Sequence, residues 1–296
     1  MNSSASSSAL IQERVATRSM TTNVLIALAP ALIASNVIFG LRALLVTLVC
    51  VSVAVLSEYV YEKAMKKPVT LGDLTAVVTG VLLSFCLPVT IPLWIAGLGS
   101  VIAIIVVKQL FGGIGYNFAN PAITARVIML ISFGIEMTTY VSVDAVSHAT
   151  PLSGGNPGLM NMLIGMRGGA LGETCALALL AGGFYLMARK VITWHIPVAY
   201  IGTVAIVSLL TGQDIVVQVF GGGLMLGAFF MATDCNTSPL ATSGKLVYGV
   251  GCGLLTMMIR LLGASPEGVS YAILLMNILT PHIDKIPPFK TKGGVA

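Results

Sequence analysis

The residues able to do chemistry are few and gathered in short polar stretches. From about Gly134 to Gly169 the chain turns to Ser, Thr, Asp, Asn, Gly and Pro, and within it lies Asp144-Ala-Val-Ser147-His148-Ala149-Thr150, followed by Pro151. Ser147 and Thr150 have the residue types and spacing of a Thr-Pro turn, in which hydroxyls satisfy nearby backbone groups. Arg167 is the positive residue of this stretch, set against Glu136 and Asp144. A second cluster combines Thr233, Asp234, Asn236 and Thr237. Hard oxygen ligands of this kind suit a hydrated or partly stripped sodium ion, so Asp234 is a candidate for an ion path. Asn117 and Asn120 stand just before Pro121, where an amide side chain can cap a helix.

Other chemistries are excluded by pattern. Five cysteines (Cys50, Cys86, Cys175, Cys235 and Cys252) include no CxxC pair, which argues against a disulfide framework, a zinc site or an iron–sulfur site. His148, His195 and His282 have no paired spacing, and the fourteen Met residues form no cluster with Cys or His. Gly112-Gly113-Ile-Gly115 departs from GxGxxG and follows an apolar run, so no dinucleotide fold is expected. The glycines, including Gly221-Gly222-Gly223 and Gly249/Gly251/Gly253, are expected to let helices pack closely.

The elements that must hold these residues are membrane helices. The chain is 56% hydrophobic and only 9% charged, with a mean hydropathy of +0.95, whereas a soluble domain keeps about a quarter of its residues charged. Apolar runs recur near 22–39, 41–62, 73–88, 90–110, 121–139, 171–188, 191–211, 215–233, 246–264 and 268–283. Hydrocarbon offers backbone groups no partner, so such runs span as helices. The expected fold is all-α and polytopic, with about ten spans. Residues 1–21 form an N-terminal segment without the apolar core of a signal peptide. Residues 22–139 and 171–284 form two helical units joined by the polar loop 140–170, and 285–296 form a tail. The Asn/Pro stretches Asn117–Pro121 and Asp234–Pro239 echo one another, as duplicated units with interrupted helices would. A four-span offset would make the copies parallel, and a five-and-five division would make them inverted.

Charge sets the expected orientation. Alternate loops collect Arg14, Arg18, Lys63, Lys66, Lys67, Lys108, Arg126, Arg189, Lys190, Lys245, Lys285, Lys290 and Lys292 on one side, and Arg42, Arg167 and Arg260 on the other. The first side is therefore read as cytoplasmic, with both termini there and the 140–170 loop outside. Arg126, a few residues inside the fifth run, is expected to snorkel back to the headgroups. The net charge of +5 thus reads as topology, with a lipid bilayer and not nucleic acid as the partner.

The Asp-x-x-Ser-x-Ala-Thr pattern, with Gly112–Ala122 (GGIGYNFANPA), Phe229–Pro239 (FFMATDCNTSP) and Ala272–Asp284 (AILLMNILTPHID), resembles the D subunit of Rnf ion-translocating electron transport complexes and its relative, the B subunit of the sodium-translocating NADH:quinone reductase. The likeness extends over nearly the whole chain, with His148 standing where that family usually has Gly. It implies FMN joined through its phosphate to the Thr150 hydroxyl by a flavin transferase, with Asp144, Ser147 and Ala149 as the rest of the recognition pattern. Arg167 would then help neutralise the phosphate. In the quinone reductase an Asn-x-x-Asn-Pro segment is associated with a second, non-covalent riboflavin, and Asn117 and Asn120 match it.

The activity so implied is electron transfer between ferredoxin and NAD coupled to sodium or proton transport across a bacterial inner membrane. Iron–sulfur, NADH-binding and second flavin subunits would carry the substrate chemistry. Two other readings stand beside it. One is the quinone-reductase B subunit, which typically has a longer segment before its first span than the roughly twenty polar residues here. The other is a ten-span solute channel or transporter without redox chemistry, against which the Asp144–Thr150 pattern speaks.

Overall fold

A computed structural model describes residues 3–140, 152, 158–165, 168–173, 175–263 and 268–287, with side chains from Val15 onward. Among these residues the regular structure is entirely helical. Two long helices open the chain, α1 (Ser3–Phe39) and α2 (Leu41–Ala64), hinged at Gly40. A short turn at Leu71–Asp73 leads into α3 (Thr75–Phe85), which breaks off after eleven residues. The chain resumes as α4 (Leu93–Val101), widens into a π-helical segment (Ile102–Gln109), and reaches α5 (Pro121–Ser132) and the short α6 (Gly134–Thr138). Then come α7 (Leu159–Ile164), α8 (Ala176–Ala188), α9 (His195–Leu210) and α10 (Ile215–Phe220). After a glycine break follow α11 (Leu224–Leu226), which continues as a π-helical turn (Gly227–Met231), then α12 (Thr242–Leu262) and α13 (Gly268–Ile283).

Each apolar run carries helix, yet few of the helices are long. Val15–Phe39, Leu41–Ala64 and Thr242–Leu262 are long and apolar enough to cross a membrane unaided, while Thr75–Phe85, Leu93–Gln109, Pro121–Ser132, Ala176–Ala188, His195–Leu210 and Gly268–Ile283 are shorter apolar helices. At about 1.5 Å per residue, α3 reaches roughly halfway across a hydrocarbon core of about 30 Å. The surface is that of a protein in lipid: Val37, Ile135 and Leu262 are about 80% exposed, while Glu58 and Lys108 are almost wholly buried. One hydrophobic core, from Leu28 and Phe85 to Tyr200, Phe230 and Ile273, takes residues from both halves of the chain.

The two interruptions lie in the third and eighth runs. α3 starts beside the end of the π segment, since the Lys108 ammonium donates to the Thr75 hydroxyl, and runs away from that level to Phe85. α10 and α11 run toward it, ending at Asp234. The broken helices thus run in opposite senses, five runs apart, as inverted units would. They abut where the Cys86 thiol lies 4.0 Å from the Met231 sulfur.

Glycine does two jobs. Gly249 and Gly253, one helical turn apart on α12, face α9 so closely that an added Cβ would meet Ile196 and Tyr200 backbone. This is the small-residue packing expected from the sequence. Gly221-Gly222-Gly223 departs from that expectation. Gly222 and Gly223 take φ of 58° and 69°, the left-handed region open to glycine, and they break the eighth run in two. The packing role is testable: Gly249→Val is expected to lose about 1–3 kcal/mol by overpacking, read as a lower unfolding midpoint of detergent-solubilised protein.

Candidate functional site

A cavity of about 190 Å³ opens beside the middle of α1, among the ends of α3, the two π-helical segments, α5 and α8. Thr21, Thr75, Asn117, Asn120, Thr233 and Asp234 supply its polar wall, and Leu82, Phe229 and Phe230 its apolar wall. The two Asn/Pro stretches that echo one another in sequence meet here. Both end at this cavity.

Asn120 divides its amide between two tasks. Its Oδ1 accepts from the backbone N–H groups of Ala122 and Ile123, capping α5, with Pro121 in the first turn. Its Nδ2 donates to Asp234 Oδ2 at 3.2 Å. Asp234 Oδ1 accepts from the Asn236 backbone N–H. Burial pushes the Asp234 carboxyl above the usual carboxylate range, against the pull of the Asn236, Asn120 and Thr237 hydrogen bonds. A group shifted upward takes its proton at higher pH than an exposed Asp. Asn117 lines the cavity with its Oδ1 buried and without a hydrogen-bond partner among the described residues. Thr233 gives its hydroxyl proton to the Phe229 carbonyl.

Behind one wall lies a charged network. Lys108 Nζ donates to Glu58 Oε1 at 2.6 Å and to the Thr75 hydroxyl at 2.6 Å. Gln109 Nε2 donates to the same Glu58 oxygen at 2.8 Å, and the Thr75 hydroxyl donates to Asp73 Oδ1. Glu58 Oε2 is buried with no partner among the described residues. Nearby, Glu62 accepts from the backbone N–H and hydroxyl of Thr70. Glu58, Glu62 and Asp73 are all buried. Lys108, assigned to a polar loop from the sequence, is buried too. The missed signal was a Lys-Gln pair closing the apolar run Ile-Ala-Ile-Ile-Val-Val.

Two further charges sit deeper. Arg126 does not snorkel to the headgroups. It is 3% exposed, and its guanidinium lies 3.6 Å from Glu173 Oε1. At the helix breaks, Arg42 donates to the carbonyls of Val89 and Ile91, and Arg260 to those of Gln218 and Gly221. Both arginines therefore satisfy carbonyls that a continuous helix would have bonded internally.

Of the sequence-predicted site residues, Asn117, Asn120 and Asp234 come together at the cavity. Asp144, Ser147, Ala149, Thr150 and Arg167 lie outside the described residues. The Glu58–Lys108 pair makes a prediction. Lys108→Met leaves a buried carboxylate uncompensated and is expected to destabilise by about 3–5 kcal/mol, whereas Glu58→Leu/Lys108→Met should recover most of that. Unfolding midpoints of the purified single and double variants check it.

The NQR2, RnfD, RnfE family model matches residues 4–292. The chain is 48% identical to the D subunit of the Na(+)-translocating ferredoxin:NAD(+) oxidoreductase complex of Acetobacterium woodii, covering 99% of this chain and 96% of that one. It is 43% identical to the D subunit of the proton-translocating ferredoxin:NAD(+) oxidoreductase complex of Clostridium ljungdahlii, covering 89% and 88%. To the D subunit of the ion-translocating oxidoreductase complex of Marinobacter nauticus it is 36% identical, covering 91% and 89%. A match over nearly the whole length, on a helical chain with buried charges and a lipid-type surface, makes this multi-pass membrane protein a member of the NQR2, RnfD, RnfE family.

Proposed function

We propose that the chain is the membrane subunit of an Rnf-type complex, in which electron transfer between ferredoxin and NAD drives sodium or proton transport out of the cell. What carries the reading is likeness over nearly the full length to relatives named as the D subunit of such complexes, in a chain that keeps the Asp144–Thr150 pattern. Iron–sulfur, NADH-binding and second flavin subunits would be its partners in the inner membrane. Both termini and the cavity would face the cytoplasm and the 140–170 loop the outside, as the charge asymmetry argues.

In this reading a flavin transferase joins FMN to the Thr150 hydroxyl as a phosphoester, within the Asp144, Ser147 and Ala149 pattern, and Arg167 helps neutralise the phosphate. Thr150 is then a tether. FMN supplies the electron-carrying chemistry, and the protein supplies position and electrostatics.

The cavity is proposed as the place of a second, non-covalent flavin of the riboflavin type. Phe229 and Phe230 offer ring faces and Leu82 apolar contact, and Asn117 Oδ1, without a partner among the described residues, offers an acceptor for a ring N–H. Asn117 and Thr21 would hold its polar edge, while Asn120, already committed to the helix cap and to Asp234, would shape the wall. Mass analysis of the Thr150 peptide, from assembled complex made in cells that express the transferase, is expected to find it carrying FMN. A bare peptide in that material would remove the electron-carrier reading and favour a plain permease. In the same material, Asn117→Ala should lose acid-extractable flavin while the covalent flavin stays; full retention of extractable flavin would take the second site away from the cavity.

Asp234 is proposed as the cytoplasmic station of the ion route, with Asn236 and Thr237 beside it. Asp234→Asn is expected to cut ion transport at least several-fold while assembly is kept. Undiminished pumping by a normally assembled Asp234→Asn complex sinks that assignment.

A further inference from the structure

Among the described residues, α2, α8 and α9 end in the same hydrogen-bonded cap. One residue turns into the left-handed region and its N–H donates to the carbonyl three residues back. The next N–H donates to the carbonyl five residues back. At the end of α2 these bonds run from Lys66 to Lys63 and from Lys67 to Glu62. At the end of α8 they run from Lys190 to Met187 and from Val191 to Leu186, and at the end of α9 from Gly212 to Leu209 and from Gln213 to Ser208.

The turning residue has φ of 54° at Lys66, 57° at Lys190 and 68° at Gly212. Glycine is the usual occupant, because a side chain is strained there. The short loop 189–194 joins α8 to α9 beside the cavity, which Val191 and Ile192 help to line, so α9 ends on the opposite side of the membrane. The end of α2 is on the cavity side, where Glu62 accepts from Thr70, a few residues before the cavity-lining Thr75. Lysine thus takes glycine's place at both caps on the cavity side, and glycine holds it on the far side. Backbone geometry favours glycine at all three, so the two lysines point to something outside the chain that meets their charge.

The surface around Lys66 narrows what that is. Leu56, Tyr59, Val60 and Lys63 are exposed, and their spacing sets them along one stripe of α2. Followed outward, the stripe passes from aliphatic to phenol to ammonium. Lys63 Nζ lies 5.6 Å from the centre of the Tyr59 ring, and Lys67 Nζ 5.1 Å from that of Tyr61. Tyrosines gather at the level of the lipid headgroups. Glu58 and Glu62 are turned into the protein, and among the described residues none of the three lysines is in an ion pair.

We propose that the end of α2 is a headgroup site for an anionic phospholipid: Lys63, Lys66 and Lys67 hold the phosphodiester, and the acyl chains lie along Val60 and Leu56. The phosphodiester supplies the negative charge and the acceptors that three ammonium groups call for. A choline headgroup sets its own cation against them. The inference needs the membrane-spanning fold but neither flavin nor the Asp234 route, so its failure and theirs are distinguishable.

The test is photolabelling of the assembled complex in lipid nanodiscs that carry a small, equal mole fraction of diazirine-bearing phosphatidylglycerol or phosphatidylcholine. Phosphatidylglycerol is expected to label residues 56–67 at least about twenty-fold more strongly than phosphatidylcholine, at roughly five-fold for each lysine near a charged headgroup. Lys66→Gly should lower that preference roughly five-fold, and Lys63→Gln/Lys66→Gln/Lys67→Gln should bring the two lipids level. Equal labelling of the wild type by both lipids overturns the proposal, as does labelling by neither, which means that a neighbouring subunit covers the stripe. A Lys66→Gly complex with the wild-type preference overturns it as well, since the lysine is then only a cap. Where the triple variant does not assemble, Lys66→Gly decides, because glycine is the residue that this cap accepts most readily.

Discussion

The structure depends on how two interrupted helices satisfy their backbone inside hydrocarbon. A helix that stops at mid-depth leaves four carbonyls without internal partners, and each costs several kcal/mol where no water can reach it. Here the groups that meet this demand are specific. After α3, the Gly172 and Leu171 N–H groups serve Phe85 and Leu87, and Arg42 serves Val89 and Ile91. After α10, Arg260 serves Gln218 and Gly221. Irregular backbone is tolerated at membrane depth only where protein surrounds it, and residues 85–88 and 221–223 are buried.

That requirement also explains why the charged residues are where they are. A guanidinium has five donors in a planar fork and stays ionised, so one Arg can serve several carbonyls at a break. Arg260 does this from α12 and Arg42 from the start of α2. Arg126 and Glu173 belong to the same scheme: the carboxylate arrives on the segment that pairs with α3, and its partner waits on α5. Toward the cavity, Lys108 joins the π-helical segment to Glu58 on α2 and Thr75 on α3. Buried ions thus tie together elements that apolar packing alone would let slide.

Some of this was legible in the sequence and some was not, for physical reasons. The apolar runs gave the helical, polytopic class, because only helices can hide so much backbone in lipid. The Asn120-Pro121 pair gave a helix start, since cap and first-turn proline are local chemistry. The nearness of Asn120 to Asp234 showed only as an echo between two Asn/Pro stretches, because residues 114 positions apart meet through topology. Run length could not reveal that α3 stops at Phe85, for an apolar segment after a break looks like more helix. Gly221-Gly222-Gly223 read as close packing because small faces and left-handed turns draw on the same residue. Arg126 read as snorkelling because a sequence gives depth along a helix but not the partner waiting at that depth.

The exceptions to the charge asymmetry follow from the same constraint. Arg42 and Arg260 fall on the side that should hold few positive residues, but both are engaged with carbonyls at helix breaks. Conversely, Lys108 and Arg126 were counted on the positive side and are buried in ion pairs. Orientation is set by exposed loop charges near the ends of spans, and of these Lys63, Lys66, Arg189, Lys190 and Lys285 are exposed on the cavity side. Setting aside the paired and capping residues removes two from each side of the count, so the asymmetry that remains is steeper in proportion. The residues that blurred the topological signal are the ones that make the interrupted fold possible.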